Sequence, residues 1–295
     1  MKIRSIINSM RPAQWIKNLF IFAALIFSQK FLDFSLVLKT GAAFLLFCFL
    51  SSSVYILNDL LDIEEDKIHP KKSKRPIASG KISKNEAISL FIALSIISLF
   101  LAFWLNEYFF IASLTYFVLQ LAYSVKLKHV VIVDVFIIAS GFVIRVVAGG
   151  LVIGVAISSW LLICSMLLAL FLAMSKRRHE IVILEDVASN HRPILREYSP
   201  YLLDQMIAVV TASTLIAYCL YTISVKTVER FGTTNLVFTV PFVLYGIFRY
   251  LYLIHEKGKG DSPESLIIRD YPLLINILLW VGTVFLILYF YSTKE

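Results

Sequence analysis

Asp59, Asp62 and Asp66 stand in the run Asn58-Asp59-Leu60-Leu61-Asp62-Ile63-Glu64-Glu65-Asp66, and Lys71, Lys72, Lys74 and Arg75-Pro76 follow it closely. On a helix the positions i, i+3 and i+7 share a face, so the three carboxylates would lie together with Asn58 beside them. Like charges held on one face repel, and a cation relieves that cost. Hard oxygen ligands at a membrane surface suit Mg2+, which takes one or two carboxylates, keeps several waters and shares substrate phosphates. The basic residues that follow would meet the remaining phosphate oxygens. The same spacing also describes a solvated acidic helix end balanced by nearby lysines. From the spacing both readings stand.

The elements that must position these residues are membrane spans. Of 295 residues 59% are hydrophobic and only 16% charged, well away from the roughly 45–50% and 25% of soluble domains. Apolar stretches recur along the whole chain, which excludes a secreted protein or one with a single anchor. They predict nine spans, at about 17–31, 36–57, 86–105, 108–125, 130–153, 159–175, 201–224, 235–254 and 271–291. With no cleavage site after Lys2, Arg4 and Arg11, the first is expected to stay attached. Of the 28 Lys and Arg, 21 fall at the N-terminus and in segments 58–85, 126–129, 176–200 and 255–270, and five in the alternate segments. The positive-inside rule therefore predicts an N-in, C-out chain in the cell membrane with those loops in the cytoplasm. Topology accounts for most of the net charge of +8, so nucleic-acid binding is the weaker explanation. Cys48, Cys164 and Cys219 lie in apolar runs with no paired spacing and read as buried hydrophobes. His129, His179 and His255 have no metal-ligand spacing, which disfavours zinc.

Topology does not explain the acids inside the basic loops. They recur about 120 residues later as Glu180, Glu185, Asp186 and Glu197, next to Lys176-Arg177-Arg178. A basic triplet adjoining a carboxylate asks for a substrate with more anionic charge than one diphosphate, or with a second phosphate at a distance. Within span 5, Asp134 and Arg145 are eleven residues apart, about 16 Å along one helical face. Charges at that depth are costly and line functional cavities, form an internal ion pair, or snorkel from a span end. Ala148-Gly149-Gly150 reads first as a close helix contact. Gln14 and Lys17 are placed equally well as lipid-phosphate contacts and as topology signals. Tyr198 reads as an interfacial anchor or a site residue, and Trp15, Trp104 and Trp160 as belt residues.

Asn58-Asp59-x-x-Asp62-x-x-x-Asp66 with Arg75-Pro76 at the end of the second span resembles the first signature of the UbiA superfamily of intramembrane prenyltransferases. The resemblance implies one domain over 1–295: an all-α, nine-helix integral-membrane bundle with a cytoplasmic-side cavity holding Mg2+ and a diphosphate. It implies Asp59 and Asp62 as metal ligands, with Asn58, Asp66 and Arg75 around the phosphates. The usual second motif, DxxxD after span 6, is missing. Further segments resemble the decaprenyl-phosphate phosphoribosyltransferase branch: Arg11-Pro12-x-Gln14-Trp15-x-Lys17-Asn18, Tyr123-Ser124-x-x-Leu127-Lys128-His129 with Asp134, Ser140-Gly141-Phe142-x-x-Arg145-x-x-Ala148-Gly149-Gly150, Lys176-Arg177-x-x-Glu180, Arg249-Tyr250, and Pro263-Glu264 with Arg269-Asp270.

In that branch the donor is phosphoribosyl pyrophosphate (PRPP) and the lipid is a phosphate acceptor, so the missing DxxxD is expected. The resemblance then implies transfer of 5-phosphoribose to a polyprenyl phosphate at the cytoplasmic face, with pyrophosphate leaving. Catalytic roles fall to Asp59, Asp62 and Asp66. Substrate contacts fall to Lys17, Asn58, Arg75, Tyr123, Lys128, Asp134, Arg145, Lys176, Arg177, Glu180, Tyr198 and Arg249. The Thr-Gly-Gly PRPP loop of soluble phosphoribosyltransferases is absent. A homo-oligomer is compatible with the sequence. The rival readings are an ordinary prenyltransferase joining an isoprenoid to an aromatic acceptor, which the missing DxxxD opposes, and a transporter or non-catalytic subunit, which leaves residues 58–66 unexplained.

Overall fold

A computed structural model describes residues 2–68, 72–184, 193–258, 266–267 and 269–292. Lys71, Glu185, Asp186, Pro263 and Glu264 lie outside the described residues. Among the described residues every regular element is helical, and eight helices are long and apolar enough to cross a membrane. The protein is a multi-pass membrane protein. Its chain divides into two compact units, residues 1–157 and 158–295.

The first unit opens with α1 (Lys2–Met10), which Pro12 follows. A 3-10 stretch over Pro12–Ile21 then leads into the short α2 (Phe22–Phe27). The stretch expected to form the first long span, 17–31, is thus helical but is not one of the eight. Hydropathy registers polarity and is blind to helix type: a left-handed Arg11 and Pro12 start the segment in 3-10 form, and a left-handed Gln29 ends it. Four long helices complete the unit: α3 (Phe34–Leu61), α5 (Lys84–Leu105), α6 (Glu107–Val125) and α7 (Val133–Val152), with the short α4 (Ile63–Ile68) after α3. Local sequence sets their starts. Asp33 accepts from the Ser35 and Leu36 amides, Ser83 and Glu86 form a reciprocal capping box, and Asn106 accepts from the Phe109 amide.

Two apolar clusters hold this unit. The larger joins Ile21, Leu25, Phe47, Phe109, Tyr116 and Val152 across α2, α3, α6, α7 and the 3-10 stretch. Gly149 is required there: a Cβ on it would run into the Ile21 carbonyl, so the close contact read from Ala148-Gly149-Gly150 is present. The smaller cluster, Ile56, Ile63, Ile77, Ile82 and Ala87 with Ile6 of α1, lies beneath the acidic loop and fixes both its ends.

The second unit comprises α8 (Ser159–Leu184), α9 (Pro200–Ile223), α10 (Val225–Phe231), α11 (Val240–His255, preceded by a 3-10 turn Asn235–Thr239) and α12 (Tyr271–Ser292). Tyr218 of α9 ties three of these elements together. Its hydroxyl accepts from Trp280 Nε1 of α12 (2.9 Å) and lies 2.7 Å from the Thr239 hydroxyl, beside α11.

Candidate active site

The acidic motif sits where α3 gives way to α4. Buried Ser51, Ser52 and Ser53 line the preceding turns, and the hydroxyls of Ser52 and Ser53 return to carbonyls of their own helix. Asp62 breaks the α-helical run, yet its amide still bonds the Asn58 carbonyl (3.0 Å) and its carbonyl receives the Asp66 amide (2.8 Å). The ladder therefore bends without ending, and the three acids stay on the continued helical path expected from their spacing. Asp59 and Asp66 are each 2% exposed, whereas Asp62 keeps about a fifth of its side-chain surface in contact with solvent. Glu64 points out to solvent, where Lys67 donates to it (2.9 Å) and holds its carboxyl below the usual range.

Each acid of the motif faces a cation from another stretch of chain. Arg75 Nη1 donates to Asp66 Oδ2 (2.5 Å) and to Asp59 Oδ1 (3.1 Å). The loop that carries Arg75 is pinned by Ile77 and Ile82 and turned by Gly80 at φ 73°. Lys128 reaches Asp62 (2.5 Å) from a 3-10 turn, Leu127–His129, between α6 and α7. Arg11 Nη2 donates to the same Asp59 Oδ1, with the guanidinium over the Tyr55 ring at 5.1 Å. Arg11 holds φ 52° where α1 meets the 3-10 stretch, a conformation that costs a residue with a Cβ about 1–2 kcal/mol. Glycine would be cheaper there, so the side chain is what the position uses.

A second polar cluster in this unit is built around Arg145, 4% exposed on α7. Its guanidinium donates to Asn18 Oδ1 (2.7 Å), to the Gly141 carbonyl (2.7 Å) and to the Tyr116 hydroxyl (3.0 Å). The rings of Tyr116, Phe142 and Phe47 surround it at 4.7, 5.6 and 5.9 Å. Among the described residues Arg145 makes no ion pair, and its charge is met by neutral groups. Asn18 passes the connection on, donating to Ser51 Oγ and to Cys48 Sγ (3.2 Å each). Trp15 donates to Ser52 Oγ (3.0 Å), so a residue read as a belt tryptophan helps strap the 3-10 stretch to α3. Asp134 is fully buried in the first turn of α7, Tyr123 is buried near the end of α6, and Lys17 is half-buried on the 3-10 stretch.

In the second unit Lys176, Arg177 and Glu180 fall on the last turns of α8. That helix runs past the expected end at 175 because the basic triplet continues it. Arg177 is 2% exposed and donates to Glu180 Oε2 (2.8 Å) one turn on, while Lys176 is half-buried. Arg178 pairs with Asp204 of α9. Arg249 forks onto Asp270 (3.1 and 2.8 Å), and Asp270 also caps α12 through the Leu273 amide (3.0 Å). Tyr198 is buried.

The structure thus joins Asp59 and Asp66 through Arg75, pairs Asp62 with Lys128 in the same bent segment, leaves Asn58 one residue from Asp59, and gives Arg145 a separate set of partners. Sequence reasoning missed Arg11, Asn18 and Tyr116 as members of these two clusters. Arg11 and Asn18 stood in the quoted Arg-Pro-x-Gln-Trp-x-Lys-Asn segment; Tyr116 carried no signal, being one aromatic among many in an apolar span.

Two carboxylates and an amide oxygen fit a hard divalent cation. The observation that favours this is Asn58 Oδ1, a buried acceptor without a hydrogen-bond partner among the described residues, one residue from Asp59 and one turn from Asp62. Among the described residues no three His, Cys, Asp or Glu side chains converge as a complete cage. Any cation here would share its coordination with water or a ligand, as Mg2+ does.

Residues 18–278 match the model of the UbiA prenyltransferase family. The chain is 33% identical to the decaprenyl-phosphate phosphoribosyltransferase of Mycolicibacterium smegmatis, over 98% of this chain and 93% of that protein. The protein of the same name from Corynebacterium glutamicum is 31% identical over 96% and 86%. Among solved structures, a UbiA homolog from Archaeoglobus fulgidus bound to GPP and Mg2+ superposes with a TM-score of 0.71 at 19% identity, covering 97% of this chain and 99% of that one.

Proposed function

The chain belongs to the UbiA prenyltransferase family, and from that premise we propose that it transfers the 5-phosphoribosyl group of PRPP to a polyprenyl phosphate of decaprenyl type. The observation that carries this reading is the 33% identity, along nearly the whole of both chains, to a protein named for that acceptor and that transferred group. The lack of a second DxxxD motif supports it, because a phosphoribosyl donor does not need the clamp that holds a prenyl diphosphate.

In the reaction an oxygen of the lipid phosphate attacks C1 of the ribose, the bond from C1 to the pyrophosphate oxygen breaks, and its electron pair leaves with pyrophosphate. A phosphate monoester is already anionic near neutral pH, so no general base is required. The acceptor becomes a phosphodiester, and a single displacement inverts C1. Asp59 and Asp62, with Asn58 Oδ1 beside them, are the groups proposed to hold Mg2+, and that ion, when bound, supplies charge neutralisation for the leaving pyrophosphate. Arg75 and Lys128 bind phosphate oxygens, and Asp66 keeps Arg75 aimed at the motif. Arg145, with three of its donors already engaged, acts on the site through Asn18 and the stretch that carries Lys17. Lys176 and Arg177 remain the residues proposed for the 5-phosphate on the sequence argument, Lys176 being the more accessible.

The stretch 12–27 completes a nine-helix, N-in, C-out layout in the cell membrane with the acidic loop in the cytoplasm. At about 2 Å of rise per residue in its 3-10 part and about 1.5 Å in its α part, it is about 29 Å long, close to the roughly 30 Å hydrocarbon core. The whole of 1–295 is read as one catalytic domain.

A second reading, prenyl transfer to an aromatic acceptor, is favoured by one fact: a solved relative of this fold is bound to GPP. The purified chain given Mg2+ separates the two. PRPP with polyprenyl phosphate is expected to react, and geranyl diphosphate with 4-hydroxybenzoate is expected to give nothing. The reverse result would leave the family and remove the phosphoribosyl assignment.

A further inference from the structure

Two guanidinium groups meet at one oxygen, Asp59 Oδ1, and they are not equivalent. Arg75 has a second carboxylate, through its 2.5 Å bond to Asp66. Arg11 has Asp59 as its single carboxylate among the described residues, with the Tyr55 ring as its other contact. About a quarter of its side chain reaches solvent, whereas Asp59 is 2% exposed. The Arg11 backbone is held on both sides, since its amide donates to the Asn8 carbonyl (3.2 Å) and its carbonyl accepts from the Gln14 amide (2.9 Å). The guanidinium can therefore leave Asp59 by side-chain rotation alone.

We propose that Arg11 is a resident counter-ion of the metal-ligand carboxylate and a binding residue for the donor's pyrophosphate. Its guanidinium bonds Asp59 Oδ1, the oxygen a divalent cation would need, so the two would compete for it, and a guanidinium displaced from it would bond the pyrophosphate oxygens. This rests on the metal and donor assignments made above and deepens them. The exchange conserves paired charge: a buried carboxylate is never left without a cation, and a guanidinium is released where an anion is about to bind. The face of Tyr55 gives the guanidinium a surface to slide along between its two positions. The device also opposes empty loading, because metal without a phosphate partner must displace Arg11 with no compensating anion.

A neutral side chain at position 11 must then move two equilibria in opposite directions. Asp59 keeps Arg75 in Arg11→Gln, so the variant is expected to fold, with thermal unfolding in detergent as the check. Binding of Mn2+ alone to the purified full chain, read by loss of the free-ion electron paramagnetic resonance signal, is expected to tighten by about 5-fold or more in Arg11→Gln, a typical size for coupling between competing ligands. In the same variant KM for PRPP is expected to rise by about 10-fold or more, while KM for polyprenyl phosphate stays within about 2-fold. Arg11→Lys keeps a cation at the position and is expected to stay near wild type in Mn2+ affinity, which guards against a folding artefact. Mn2+ binding that is unchanged or weaker in Arg11→Gln would overturn the proposal. Tighter Mn2+ binding together with a raised KM for geranyl diphosphate and no reaction of PRPP would keep Arg11 as the counter-ion and reject the phosphoribosyl donor.

Discussion

Asp59, Asp62 and Asp66 each touch a cation, from far along the chain for Asp59 and Asp62 and from the adjoining loop for Asp66, whereas Arg145, buried in the same unit, touches only neutral groups. Both arrangements settle charge in an apolar surrounding, and they do it for different ends. In the acidic network the partners are ion pairs at helix ends, where Asp62, Arg11 and Arg75 each keep about a fifth or more of their side-chain surface in solvent. Such pairs can be exchanged for a metal and a phosphate without stranding any group. Around Arg145 the delocalised guanidinium is satisfied by an amide, a backbone carbonyl, a phenol and aromatic faces. No anion is needed there, so nothing is gained by exchange, and the cluster serves as an anchor between α7, α6 and the 3-10 stretch. Exposure and the kind of partner, more than the presence of charge, separate a site from a support.

Replacing members of the two clusters should therefore affect different observables. The largest effect is expected at the acids: Asp59→Asn and Asp62→Asn should each lower turnover by at least about 100-fold, with Mn2+ binding lost and little change in unfolding temperature. EDTA should reproduce that loss in the unmodified chain. Next comes Lys176→Ala, expected to raise KM for PRPP by the equivalent of about 1.5–3 kcal/mol and to leave KM for the lipid nearly unchanged. In the anchor, Asn18→Leu removes the acceptor of a charged donor, and Arg145→Lys removes the fork. Each should cost about 1.5–3 kcal/mol of stability in thermal unfolding while the chain that remains folded binds Mn2+ normally. Loss of Mn2+ affinity in those variants would erase the distinction between the clusters. The smallest effect is expected for Glu64→Gln: this acid lies in the same motif but is exposed, so turnover, Mn2+ affinity and stability should all stay at wild-type values in the same assays.

Much of this arrangement was legible before any coordinates. Apolar run length located α5, α6 and α7 to within a few residues, because burial in lipid leaves little freedom other than a helix of that length. The span expected over 17–31 falls on a 3-10 stretch and a short helix over 12–27, a form hydropathy does not report, since a 3-10 turn and an α turn carry the same hydropathy. The acidic face was legible from the i, i+3, i+7 spacing, which is a local property. Its counter-charges were not: Arg11 lies 48 residues from Asp59 and Lys128 lies 66 from Asp62. Asn18 is likewise 127 residues from Arg145. Pairings at that range are decided by helix packing, which no spacing rule encodes; the segments that resemble the phosphoribosyltransferase branch contain Arg11, Asn18, Lys128 and Arg145 without saying which meets which. The depth of Arg145 marked it as important, but depth could not say whether its partner would be an acid, a substrate or a set of neutral groups.

In the proposed reaction the 5-phosphoribosyl group, and not a prenyl chain or the pyrophosphate, moves onto the lipid phosphate. PRPP labelled with 14C in the ribose and 32P in the β-phosphate tests it directly when incubated with purified protein, Mg2+ and polyprenyl phosphate, then partitioned between organic solvent and water. Phosphoribosyl transfer requires that 14C enter the lipid phase in a metal-dependent manner while 32P stays in water as pyrophosphate. Appearance of 32P in the lipid, or no 14C-labelled lipid from a chain that retains Mn2+ binding, would contradict it.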